Sequence, residues 1–163
     1  MSSQTPLRRS LLFVPGGEDR RLEKAKQTNA DTLIFDLEDS VPYDKKEQAR
    51  DKVTQALQQN AFGESEPTVR VNGPQSPFFE DDVIAVVQAG ARAIMLPKSE
   101  NLETLKSLCA LIEKWEATPQ SVQILALVET PLGTLKANEL CSDIDRITAL
   151  CLGQFRKRDF EDG

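Results

Sequence analysis

The sequence contains no histidine. That removes the Ser-His and Cys-His nucleophile systems, the commonest general base and the usual zinc ligand. Cysteine is scarce too: Cys109, Cys141 and Cys151 lie far apart and form no CxxC pair. An odd count at such spacing argues against a disulfide framework and against zinc, and all three are expected as small core residues. Apolar residues never run together long enough for a membrane-spanning helix. Basic excess is also missing, since 20 Lys and Arg face 26 Asp and Glu, and no basic stripe suits nucleic acid. The start, Met1 to Arg9, is short and polar before an apolar run, so no signal peptide is expected and the chain reads as cytoplasmic.

What remains for catalysis is carboxylates, Arg, Lys and a hard, oxygen-loving cation. The 163 residues, 39% hydrophobic and 28% charged, suit one globular domain with a sizeable core. The net charge of −6 is unevenly spread: residues 1–50 hold nine basic and nine acidic side chains, residues 51–163 eleven and seventeen. A phosphate-bearing ligand would meet its least hostile surface in the N-terminal third.

Short apolar runs alternate with amphipathic stretches. Strands are expected over residues 10–15, 32–37, 68–71, 93–97, 122–128 and 147–152. Helices are expected over 18–28, 44–60, 78–89, 101–116 (with Asn101 as its cap) and 132–140. Near-continuous apolar strands separated by helices indicate a parallel sheet buried on both faces. An open doubly wound sheet and a (β/α)8 barrel both fit that pattern. Polar residues gather at strand C-terminal ends (Asp36 and Glu38, Arg70 and Asn72, Lys98, Glu129), which is where a barrel builds its active site. The fold expected is therefore α/β of the TIM-barrel type, with six of the eight βα units over residues 1–163 as a single partial barrel.

Side chains alternate faces along a strand, so Ile34, Asp36 and Glu38 share one face. Thr68, Arg70 and Asn72 share another, as do Leu125, Leu127 and Glu129. A buried Arg70 needs a partner, and Glu38 on the neighbouring strand is the natural one. This arrangement reads either as a structural ion pair or as a fork for a substrate carboxylate, with Glu38 orienting Arg70. Glu129 ends an apolar strand, where an isolated carboxylate is expensive unless it meets a cation; it reads as a Mg2+ ligand or as a cap for the next helix. The Phe13-Val-Pro-Gly-Gly17 turn, followed by Glu-Asp-Arg-Arg21, places glycines and cations at a helix start; an anion site and a plain turn both fit it.

Taken together, Arg8-Arg-Ser-Leu-Leu-Phe-Val-Pro-Gly16, Ile34-Phe-Asp-Leu-Glu-Asp-Ser-Val-Pro42, Val69-Arg-Val-Asn72, Met95-Leu-Pro-Lys98 and Leu127-Val-Glu-Thr130 resemble the citrate lyase beta-subunit-like family of the HpcH/HpaI aldolase superfamily. The resemblance implies a TIM barrel that makes or breaks a carbon–carbon bond beside a thioester carbonyl, on citryl, malyl or citramalyl thioesters. It implies Mg2+ held by a Glu and an Asp, with Glu129 as the metal Glu and Arg70 as the substrate-carboxylate Arg. Asp36, Glu38 and Arg70 are then the catalytic group. Gly16, Arg20, Lys98 and Arg70 would bind substrate, the Phe13–Gly17 loop and Arg20 facing a CoA or acyl-carrier thioester. A homo-oligomer is expected. The alternative is a non-catalytic CoA- or carrier-binding subunit, or an inactive fragment.

Two departures stand out. The family's sixth strand ends Gly-x-x-Asp-Phe, but here the third position after Gly153 is Arg156, and the dipeptide returns only at Asp159-Phe160. Asp159 is thus the candidate second metal ligand. The sequence also stops after six strands, so a truncated or altered copy with unpaired first and sixth strands is expected.

Overall fold

The computed structural model describes residues 7–153. Strand and helix alternate through β1 (Leu11–Pro15), α1 (Asp19–Ala25), β2 (Thr32–Asp36), α2 (Lys46–Gln59), β3 (Glu66–Arg70), α3 (Phe79–Gln88), β4 (Ala93–Leu96), α4 (Leu102–Trp115), β5 (Gln123–Val128), α5 (Pro131–Asp143) and β6 (Ile147–Leu152). All six strands run parallel in the order β1-β2-β3-β4-β5-β6.

Period-2 alternation divides the strand residues into two apolar layers. Leu33, Phe35, Val69, Ile94, Leu96 and Ile124 join the helices in the larger core. Ile34, Ala93, Met95, Leu125 and Leu127 form a second cluster on the opposite face, with Ala149 and Cys151 packed against it. Local chemistry sets the helix starts. The Asn101 side chain accepts hydrogen bonds from the Glu103 and Thr104 backbone N–H groups, as expected of a cap. Thr130 accepts from Gly133 N, with Pro131 just inside α5.

The sheet curls. In a flat sheet, five spacings of about 4.8 Å would put β6 roughly 24 Å from β1. Yet Arg8, just ahead of β1, donates to Thr148 Oγ1 of β6 at 3.0 Å and to Gln123 Oε1 of β5 at 2.6 Å. It also forks onto Glu66 of β3 at 2.6 and 2.7 Å. One side chain can gather these groups only if the strand starts converge, as they do in a barrel. Among the described residues β1 and β6 nevertheless make no ladder with each other and are the two edges, so the sheet they form is an open, incomplete barrel.

Two expectations needed correction. β3 begins at Glu66, ahead of the expected Thr68, because Arg8 anchors Glu66 and Pro67 is accommodated next to it in the ladder. The cysteines are not core residues: Cys141 is exposed, and Cys109 and Cys151 are half-buried. α5 buries little besides Gly133 and Leu140, which leaves Cys141 outside, and Cys151 sits on a strand that is an edge of the sheet among the described residues.

Candidate functional site

The ends of β2 and β3 build the centre. Asp36 and Arg70 are register partners on adjacent strands. Arg70 Nε donates to Asp36 Oδ1 and Nη2 to Oδ2, each at 2.8 Å, a side-on fork with both groups buried. The chain then wraps round the same carboxylate, the Glu38 N–H donating at 2.9 Å and the Ser40 N–H at 3.0 Å. Burial pushes the Asp36 pKa upward, but the Arg70 hydrogen bonds and charge and the backbone donors outweigh it, so the net direction is down. With its oxygens so fully engaged, Asp36 acts as an anchor for Arg70.

The sequence reading named Glu38 as the natural partner of Arg70. Asp36 takes the fork instead, because it lies directly opposite Arg70 in register while Glu38 follows the end of β2. Glu38 Oε2 stands 3.0 Å from Arg70 Nη1, and Asp39 Oδ2 3.7 Å. The Glu38 contact is an ion pair without hydrogen-bond alignment, and Oε2 is buried with no hydrogen bond among the described residues. Burial first, with the nearby charges of Asp39, Glu129 and Asp36 adding to it, raises the Glu38 pKa to about 7 against the pull of Arg70. Phe13 of β1 lies under the guanidinium, its ring centroid 5.0 Å from Cζ.

Asn72 does not stay on the Arg70 face. Its backbone N–H and side-chain amide both donate to Asp82 of α3, at 3.1 and 2.6 Å, because β3 has ended and the fully buried Asp82 needs donors.

Glu129 follows β5 and shares a cavity of about 260 Å3 with Arg70, Phe13, Met95, Leu127 and Gly153. Its Oε1 accepts the Lys98 backbone N–H at 2.9 Å. Lys98 takes the left-handed conformation, φ +49°, at that turn, and its side chain is exposed. Lys98 therefore meets the site through its backbone. Thr130, rather than Glu129, caps α5. Gly153 is required where β6 ends: a Cβ there would stand 2.8 Å from Glu129 Cβ. Among the described residues no group of three Cys, Asp or Glu side chains is gathered for a metal ion. Mg2+, however, takes one or two carboxylates and completes its shell with water and substrate oxygens. Glu129, lining this cavity together with Arg70 and Asp39, fits as one such ligand. Asp159 and Arg156 lie outside the described residues.

Gly16 is packed too closely for a side chain. A Cβ on it would come within 2.8 Å of Asp36 O and 2.9 Å of Val53 Cγ2, while its N–H donates to Asp36 O at 3.0 Å. Arg20 is exposed on α1. Its neighbours Arg21 and Lys24 line a second cavity of about 190 Å3 against Leu12 to Pro15.

Sequence reasoning missed Lys46. Buried at the start of α2, it donates from Nζ to Leu37 O at 2.7 Å and Glu38 O at 2.6 Å, fixing the loop that carries Glu38. In the sequence it looks like any solvated first-turn lysine. Asp82 was equally hidden inside Glu80-Asp81-Asp82, although it holds both Asn72 and Arg50.

The profile of the HpcH/HpaI aldolase/citrate lyase family matches residues 9–160. The chain belongs to the HpcH/HpaI aldolase/citrate lyase family. It is 38% identical over 150 residues to a citrate lyase subunit beta of Leuconostoc mesenteroides subsp. cremoris, covering 90% of this chain and 50% of that protein. It is 36% identical over 153 residues to a (3S)-malyl-CoA thioesterase of Cereibacter sphaeroides, covering 94% and 51%. A citrate lyase beta subunit structure from Mycobacterium tuberculosis, complexed with oxaloacetate and magnesium, superposes with a TM-score of 0.70 at 28% identity, covering 91% of this chain and 60% of that one. This HpcH/HpaI chain thus spans about half the length of the curated relatives it matches.

Proposed function

We propose that the chain carries the strand-end site of a Mg2+-dependent carbon–carbon lyase acting on a 3-hydroxy-acid thioester of the citryl, malyl or citramalyl type. The observation that supports this most is one cavity shared by Arg70, locked by Asp36, and the turned-in carboxylate of Glu129. The citrate lyase and malyl-CoA relatives, and the oxaloacetate and magnesium of the solved neighbour, favour the same substrate class.

Arg70 has five N–H donors, and Asp36 takes two of them. Of the three that remain, two point out from the Nη1–Nη2 end, where a substrate carboxylate would dock beside Glu38, and the Asp36 fork holds the guanidinium in place before the ligand arrives. Ile34, Met95 and Leu127 line the cavity with apolar surface, which lowers the local dielectric and strengthens each charge. Glu129, with Asp159 as the proposed second ligand, would hold Mg2+, which when bound polarises substrate oxygens and offsets enolate charge. Retro-aldol or retro-Claisen cleavage then removes the hydroxyl proton, converts that carbon to a carbonyl and passes the C–C electron pair to the carbon beside the thioester. Protonation there completes the product thioester. The thioester carrier, CoA or an acyl carrier protein, would run past Gly16 and Gly17 toward Arg20, Arg21 and Lys24. Lys98 would act through its backbone N–H, which holds the Glu129 carboxylate in position. The protein is proposed to work in the cytoplasm as a homo-oligomer; no helix among the described residues is long and apolar enough to cross a membrane.

The test is to offer citryl, malyl and citramalyl thioesters with Mg2+ and follow the product thioester. Metal-dependent cleavage, lost in Arg70→Met and in Glu129→Gln, is the expected result. Thioester binding without any cleavage would instead support a carrier-binding subunit. Turnover indifferent to both substitutions would overturn the assignment.

A further inference from the structure

Resting on the reading of Arg70 as the carboxylate site, we infer that Glu38 takes up a proton from solvent when a ligand carboxylate docks on the Nη1–Nη2 end of Arg70. Geometry carries the argument. Asp36 occupies the Nε–Nη2 side of the guanidinium, so an incoming carboxylate must use the end where Glu38 Oε2 already stands 3.0 Å from Nη1. Two carboxylates cannot both be ionised at that end without strong mutual repulsion in a buried setting. The loop that carries Glu38 is held beside Arg70, because Lys46 binds the carbonyls of Leu37 and Glu38 from α2 and the Glu38 N–H is bound to Asp36. Its Oε2 lacks a hydrogen bond among the described residues, so a proton placed there breaks none and gains a donor role toward the ligand, while the ion pair with Arg70 Nη1 passes to the ligand carboxylate.

The charged groups facing Glu38 agree. Asp36 from β2, Asp39 beside it and Glu129 from the end of β5 all disfavour its ionised form, while Arg70 and Lys46 favour it. A docked ligand engages Arg70 and adds another negative charge, which shifts this balance further toward the neutral acid. The free group, with a pKa already raised to about 7, is ionised just above neutrality and close to protonation. The uptake is therefore a simple exchange: one solvent proton joins the Glu38 carboxylate, and no bond of the ligand changes. Glu38 is a positioning residue on this account. It selects for ligands presenting a carboxylate plus an acceptor oxygen, and it makes their binding depend on pH.

Calorimetric titration of the full chain with malonate, in two buffers of different ionisation enthalpy, reads the proton directly. Above pH 7 the buffer dependence should report uptake approaching one proton per malonate, and affinity should fall about tenfold per pH unit. In Glu38→Gln the uptake should vanish and the affinity should become flat with pH and exceed that of the parent at the alkaline end. Malonate binding to the unsubstituted chain with no buffer dependence overturns the proposal and leaves the Arg70 site standing. Undiminished uptake in Glu38→Gln does the same. Binding that survives unchanged in Arg70→Met, or no binding to the unsubstituted chain at all, overturns the Arg70 reading and this inference with it.

Discussion

Arg70 is expensive to bury and is stabilised by a partner that is equally buried. Replacing it with Met would leave Asp36 ionised and unpaired, which costs about 3–5 kcal/mol for a broken buried pair. Urea denaturation should show that loss directly. Glu38 has the opposite character. Folding raises its pKa from 4.5 to about 7, so its neutral form stabilises the fold below pH 4.5 and that stability fades as pH rises through 7. Glu38→Gln, neutral at every pH, should therefore match the parent in acid and be more stable by up to roughly 3 kcal/mol in alkali. Melting curves across pH check this, and an unchanged difference between the two proteins at all pH values would refute it. Asp36 runs the other way, its lowered pKa giving stability that is lost only as pH falls through the acid range. Gly153→Ala would press a methyl group to within 2.8 Å of Glu129 Cβ, moving backbone or carboxylate. Mg2+ affinity, read by calorimetry, should drop more than thermal stability does.

Each site residue depends on what the strands and loops do with it. The strands were legible because buried parallel strands are written as uninterrupted apolar runs, and the C-terminal polar residues stood out against them. Arg70, Asp36, Glu38 and Glu129 were therefore found from pattern alone. The pairing within the group was not, because register decides whether Asp36 or Glu38 lies opposite Arg70, and a sequence does not print register. Asn72 was misplaced for a related reason: alternation ends with the strand, and β3 stops at Arg70. Lys46 and Asp82 were missed because a charge in the first turn of a helix ordinarily faces water. Lys46 instead holds the loop after β2 by two carbonyls. Lys46→Met should remove the donor to Leu37 O, at about 1–3 kcal/mol, leave Glu38 O with the Val41 N–H alone, and loosen residues 37–40. Amide exchange should then quicken at Ser40, whose N–H binds Asp36, while β4 and β5 stay protected.

On the scale of the molecule, the curl held by Arg8 brings the strand ends into one mouth while the sheet stays open between β1 and β6. Those edges carry exposed Leu12 and Phe13 on one side and Leu150 and Leu152 on the other. Unpaired apolar edges invite another strand, so the chain is expected to self-associate, and lysine at positions 12 and 150 should shift light scattering toward the monomer. On the proposed function, carboxylate and metal meet in the strand-end cavity, and a crystal of the protein grown with Mg2+ and a keto acid would show both. The ligand carboxylate should lie on the Nη1–Nη2 end of Arg70 and the metal on Glu129 within the same cavity. A keto acid seated elsewhere, or a metal bound with Glu129 still turned only to the Lys98 backbone, would contradict that function.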